Sequence, residues 1–113
     1  MARIVSIAAD LMLASRVDAT LTAAGHHVLL ARSVDDAALD GAEVVVADLE
    51  AASAEELGAL EPPVLGYYSH VDAETRQAAE AAGVDLAVPR SRMARELPEL
   101  VERLLGAPPK SNY

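Results

Sequence analysis

At 113 residues the chain is long enough to bury one aliphatic core and has the size of one domain. Hydrophobic residues make up 52% of it, yet Phe and Trp do not occur and Tyr occurs three times, so the core must be built from Ala, Val, Leu and Ile. A formal charge of -9 disfavours contact with nucleic-acid phosphates and anionic lipid, the lack of Cys removes disulfides and thiolate sites, and no apolar run approaches the ~20 residues a membrane-spanning helix needs. Asp10 follows the apolar start at once and leaves no room for a signal-peptide core, so a cytoplasmic protein is expected.

Residues 3–8 (RIVSIA) are β-rich and bounded by polar residues, as buried parallel strands are. Asp10 is placed to cap a helix that carries Leu13, Val17 and Leu21 on one face, with Ala14 and Ala24 beside them, and Gly25 is placed to end it. Residues 27–31 (HVLLA) form a weaker strand candidate, and Ser33 precedes a short helical segment, 34–39, with Asp35 and Asp36 in its first turn. Residues 43–47 (EVVVA) give a further strand. Ser53 and Glu56 predict a capping box for a brief helix ending near Leu60, ahead of Pro62 and Pro63.

Residues 63–67 (PVLGY) read as the fourth strand, Asp72 as the cap of a helix that runs to Ala82 and stops at Gly83, and residues 86–88 (LAV) as a short fifth strand. The last helix has Leu97, Leu100, Val101, Leu104 and Leu105 as its apolar stripe. Two starts are open for it: near Met93, where Pro98 deletes an early hydrogen bond, or at Leu97, where Pro98 sits in the first turn that tolerates it. One domain over residues 1–106 and a flexible tail over 107–113 (APPKSNY) follow.

Strands alternating with helices imply a parallel sheet with helices on both faces and right-handed crossovers. By analogy the order is the flavodoxin-like 2-1-3-4-5, in which ligands bind beyond the carboxyl ends of the strands. Ala8, Ala9, Asp10, Asp48, Tyr68, Ser69 and Arg90 gather there. Other chemistry has little to work with. His26, His27 and His70 read as loop histidines rather than zinc ligands. Ser15, Ser69 and Ser91 lack a nucleophile elbow or a paired His, and no glycine-rich phosphate loop occurs, so no catalytic residue, metal or cofactor is expected.

From Arg3 to Leu105 the chain resembles a response-regulator receiver (CheY-like) domain, on the blocks RIVSIAAD, AAG at 23–25, AEVVVADL, PPVLGYYS and EAAGVDLAVPR. Receivers carry an acidic pair after the first strand, a phosphoacceptor Asp ending the third, a Thr or Ser ending the fourth and a Lys ending the fifth. The resemblance lays those roles on Ala8 and Ala9, on Asp48, on Tyr68 and on Arg90, and only the aspartate is kept. Phosphoryl transfer to a carboxylate needs a divalent cation held by hard oxygens, and two alanines supply none. A slip of one residue puts Ser69 in the hydroxyl role. The aromatic position of the fifth strand falls on Ala87, so a bulky Tyr68 beside a small Ala87 reads as a volume-conserving exchange.

Arg90 keeps the family's positive charge on a planar fork that suits a carboxylate, so it is expected either to grip Asp48 in place of the metal or to face solvent while Asp48 caps a turn. The segment 48–63 is shorter than in receivers, which trims the third helix to about two turns and is expected to expose a groove over Asp48.

The resemblance therefore implies a degenerate pseudo-receiver that signals through protein contacts without phosphorylation. Alternatives are a small-ligand sensor using the vacated pocket and an unusual phosphoacceptor. The family's output and dimer face, on the fourth helix, fifth strand and fifth helix, places protein partners or a second copy near Arg76, Gln77, Arg92 and Arg95. The alanines between residues 73 and 82 would let a partner helix approach closely there. Arg92, Arg95 and Arg103 also read as part of an ordinary solvated face among Glu96, Glu99 and Glu102.

Overall fold

The five apolar runs form five strands: β1 (Arg3–Ile7), β2 (His27–Ala31), β3 (Val44–Asp48), β4 (Val64–Tyr68) and β5 (Leu86–Pro89). They pair in parallel in the order β2-β1-β3-β4-β5, the order expected. The structure, a computed structural model, describes residues 2–69 and 73–106; the Asp72 cap, His70 and the tail over 107–113 lie outside the described residues. β3 and β4 are buried at every position, which is why their sequences run apolar without alternation.

Helices α1 (Leu11–Ala23) and α4 (Arg90–Leu105) cover one face of the sheet, where Leu13, Val17, Leu21, Met93, Leu97 and Leu100 pack on Ile4, Val44, Val46 and Tyr67. Helices α2 (Ala54–Gly58) and α3 (Ala73–Ala81) cover the other, with Leu57 and Ala79 against Val5, Val45, Ala47 and Tyr68. α1 starts on the Asp10 carboxylate, which accepts from the amides of Met12 and Leu13 at 2.9 and 3.4 Å. Gly25 follows it at φ +94°, a conformation that an L side chain resists.

Three of the expected helices need correction. The helix expected over 34–39 shrinks to a single 3-10 turn, Ala37–Leu39. The Asp36 carboxylate takes the amides of Ala38 and Arg32, and Ser33 Oγ takes that of Asp35, so side chains satisfy the backbone donors that a helix would need. Those amides hold the Asp36 carboxyl below its ordinary pKa.

The brief helix keeps its Ser53–Glu56 capping box but ends at Gly58, little more than one turn long. Its last residue packs tightly on the chain that closes α3: a Cβ on Gly58 would lie 2.0 Å from the Ala82 carbonyl oxygen.

The last helix begins at Arg90, earlier than either expected start, and breaks at Glu96 (φ -120°, ψ 17°). The break sits two residues ahead of Pro98 and leaves the proline in the first turn of the second segment, so the two alternatives for Pro98 are reconciled by a kink.

His26 does more than a loop histidine. It is buried, its Nδ1 accepts from the Ala2 amide at 3.1 Å, and its Nε2 lies 3.3 Å from the Glu102 carboxylate, which ties the start of β1 to α4. This geometry requires the tautomer with its proton on Nε2. His27 is exposed.

Candidate functional site

The carboxyl ends of β1, β3, β4 and β5 bring Asp48, Tyr67, Tyr68 and Arg90 to one end of the sheet. Asp48 ends β3 and is 2% exposed, so the groove expected over it is not open. Its Oδ1 accepts from the Glu50 amide at 2.9 Å, closing the turn that leads toward α2. Its Oδ2 faces Arg90 Nη2 at 3.7 Å, an ion pair longer than a hydrogen bond. Of the two alternatives, Asp48 takes the turn-closing role and the grip expected of Arg90 is not made: the guanidinium stands at ion-pair distance only. Arg90 keeps its Nε buried without a hydrogen-bond partner.

The remaining predicted residues divide by side. Ala8 is half-buried and Ala9 exposed, and both follow β1 with methyl groups only. Asp10 is exposed and does not turn inward, because its carboxylate is used on the first amides of α1. Tyr68 is buried in the α2–α3 side of the core, in the same cluster as Ala87 and Ala79, so its ring takes up the space beside the small residue of β5. Ser69 is exposed, and its hydroxyl donates to the Glu50 carboxylate. Of the pocket expected around Ala8, Ala9, Asp10, Tyr68, Ser69 and Arg90, the structure brings Asp10 and Arg90 together: they line a cavity of about 250 Å³ beside α1 with Met12, Leu13 and Arg16.

Tyr67 is the site residue that sequence reasoning passed over. It lies opposite Asp48 in the β3–β4 register and is fully buried on the α1–α4 side, with its hydroxyl bonded to nothing. Burial, reinforced by the Asp48 charge, raises its pKa well above the ordinary phenol value of 10.0. A raised folded pKa means that the unfolded chain loses this proton first as pH climbs, so stability falls above about pH 10. Tyr67→Phe is expected to flatten that alkaline limb in denaturant titrations. At neutral pH it should cost nothing or stabilise by up to ~1 kcal/mol, because the hydroxyl it removes has no partner. An alkaline limb as steep as the parent's would contradict this assignment.

The donor set decides which chemistry is available. A magnesium ion seeks six oxygens in near-octahedral array, and the position after β1 offers two methyl groups with one carboxylate already bound to amides. Among the described residues no group of three or more His, Cys, Asp or Glu side chains comes together in a way that suits a metal ion. The residues present do not fit the divalent site of a phosphoacceptor.

No protein-family model matches the sequence, and no curated protein matches it. Solved structures do. The BeF3-activated N-terminal receiver domain of RstA from Klebsiella pneumoniae matches with a TM-score of 0.80 at 15% identity, over 93% of this chain and 99% of that one. The receiver domain of NtrX from Brucella abortus matches with a TM-score of 0.79 at 22% identity, again over 93% and 99%. This is the fold of response-regulator receiver domains. NtrX from the same organism in complex with ADP gives a TM-score of 0.76 at 23% identity, over 92% of this chain, which spans 26% of that NtrX. The chain thus matches isolated receiver domains along nearly their whole length and about a quarter of that longer protein. Within the receiver fold, Asp48 stands at the end of the third strand and Arg90 directly after the fifth, while the positions after β1 carry alanines.

Proposed function

We propose that this chain is a phosphorylation-independent pseudo-receiver, a cytoplasmic signalling module that regulates by contact with other proteins and performs no catalysis of its own. The observation that carries the reading is the state of Asp48: a buried carboxylate with one oxygen on the Glu50 amide and the other facing Arg90. Arg90 neutralises that carboxylate from the place where receivers carry a lysine, and the two alanines after β1 supply no carboxylate to hold a divalent cation beside it. No helix among the described residues is long and apolar enough to cross a membrane, in keeping with this reading.

The contact surface we assign is α3, β5 and α4, used toward a protein partner or a second copy. Arg76 and Gln77 are exposed on α3, as are Ala78 and Ala81, whereas Ala79 is turned to the sheet. On α4, Arg92 and Arg95 lie 3.3 and 3.4 Å from Glu96. Their hydrogen bonds, that of Arg92 first, hold the Glu96 carboxyl below its ordinary pKa. A partner at α4 therefore meets a compact charge cluster rather than two free cations.

Incubation with acetyl phosphate and Mg²⁺, read by intact mass and by sedimentation, tests both halves. The expected mass is unchanged, and any self-association or partner complex persists with or without acetyl phosphate and weakens in Arg76→Glu and Arg95→Glu. A phosphoryl adduct that disappears in Asp48→Asn would overturn the proposal in favour of an unusual phosphoacceptor.

A further inference from the structure

Ser6 interrupts the apolar run of β1 (RIVSI) on the side of the sheet that faces α1. It is 1% exposed, and its hydroxyl has no hydrogen-bond partner. Buried polar side chains are nearly always paired, so an orphan in the middle of the central sheet calls for a reason. Its small side chain also leaves space. A cavity of about 230 Å³ lies between α1 and the edge strand β2, with Leu11, Ala14, Val28 and Leu30 as apolar walls and Ser6, Ser15 and Asp18 as its polar lining.

Leu11 and Leu30 are 73% and 53% exposed, and with Met12 they are the large hydrophobic residues left exposed among the described residues. Single exposed leucines are ordinary. Two of them lining one cavity together with Ser6, whose hydroxyl is buried and unpartnered, are a different matter. Apolar walls with a small number of polar side chains are the make-up of a small-molecule site, and of the three here only Ser6 is buried.

We propose that the groove between α1 and β2 binds a small neutral ligand with an apolar body and one hydroxyl or carbonyl group, which Ser6 Oγ engages. The hydroxyl serves either kind of group, since it both donates and accepts. Asp18 in the lining and the chain's charge of -9 disfavour anionic ligands. The volume equals about seven or eight waters at their liquid share, which suits a ring bearing a short polar arm rather than a nucleotide. The site lies apart from Asp48 and stands or falls independently of the reading given above.

Benzyl alcohol and toluene are suitable probes, because they share a ring and differ in the hydroxyl. Titrated into the methyl-labelled chain, benzyl alcohol is expected to shift the Leu11, Ala14, Val28 and Leu30 methyl signals saturably. Ser6→Ala should weaken benzyl alcohol about fivefold, the worth of one net hydrogen bond, and leave toluene unchanged. Ser6→Val fills the space and should abolish binding of both probes while the thermal midpoint holds or rises. If that variant fails to fold, Ala14→Met closes the same cavity from the helix and must abolish binding in its place. The proposal fails if no saturable shift occurs at those methyls, or if a folded cavity-filling variant binds benzyl alcohol as well as the parent.

Discussion

Replacing Gly58 by Ala is expected to destabilise the domain by roughly 3 kcal/mol, at the upper end of the range for inserting one carbon into closed space. In a domain of this size that lowers the thermal midpoint by about 10 °C or more. The added Cβ would stand 2.0 Å from the Ala82 carbonyl oxygen and 3.0 Å from the Gly83 Cα, and backbone atoms cannot swing aside as the end of a side chain can. Gly83 cannot shift cheaply, since its φ of +111° ends α3 in a conformation that glycine alone adopts readily. Relief must come from lifting α2, which withdraws the fully buried Leu57 from the core. Gly106→Ala is the matched control: its Cβ meets nothing closer than 3.8 Å, and its midpoint should not fall. Equal midpoints for the two variants would show that α2 moves freely and is not fastened against α3.

How much of this was legible beforehand depends on the range over which each feature is determined. The strands were readable because apolar β-rich runs separated by helical spacing point to a parallel sheet, and their order came by analogy with the flavodoxin-like arrangement. The Asp10 cap and the Ser53–Glu56 capping box were readable because each is complete within four residues. The segment 34–39 was misjudged for the same local reason: the acidic residues that favour a first helical turn also bond the backbone outside one, and here Asp36 and Ser33 did so.

Long-range features lay beyond one-dimensional reading. The need for glycine at 58 comes from a carbonyl 24 positions away, and the role of His26 from partners near both ends of the chain. Tyr67 was obscured by its neighbour. Attention to the family's hydroxyl position fell on Tyr68, yet strand alternation puts Tyr68 on the α2–α3 side and Tyr67 beside Asp48. The period-two rule applied to β3 and β4 together held that signal.

Arg90→Met is expected to cost about 2 kcal/mol, while Asp48→Asn costs under ~1 kcal/mol, and the double variant should cost less than the two added together. Asn keeps an oxygen for the Glu50 amide and removes the buried charge, so little is lost. Met removes the counter-charge and leaves a carboxylate that is 3% exposed with no compensation but one amide. The penalty stays below that of a fully buried pair, because the guanidinium is 39% exposed and 3.7 Å away. Urea unfolding of the four proteins at neutral pH gives the coupling directly. Strict additivity would make Asp48 a turn residue that Arg90 merely passes, and would withdraw the support this pair lends to a switch held in one state. A clear coupling would mean that the arginine neutralises the site permanently. Releasing it by Asp48→Asn would then alter α4, where Arg90 is the first residue, and so carry the change to the surface assigned to partners.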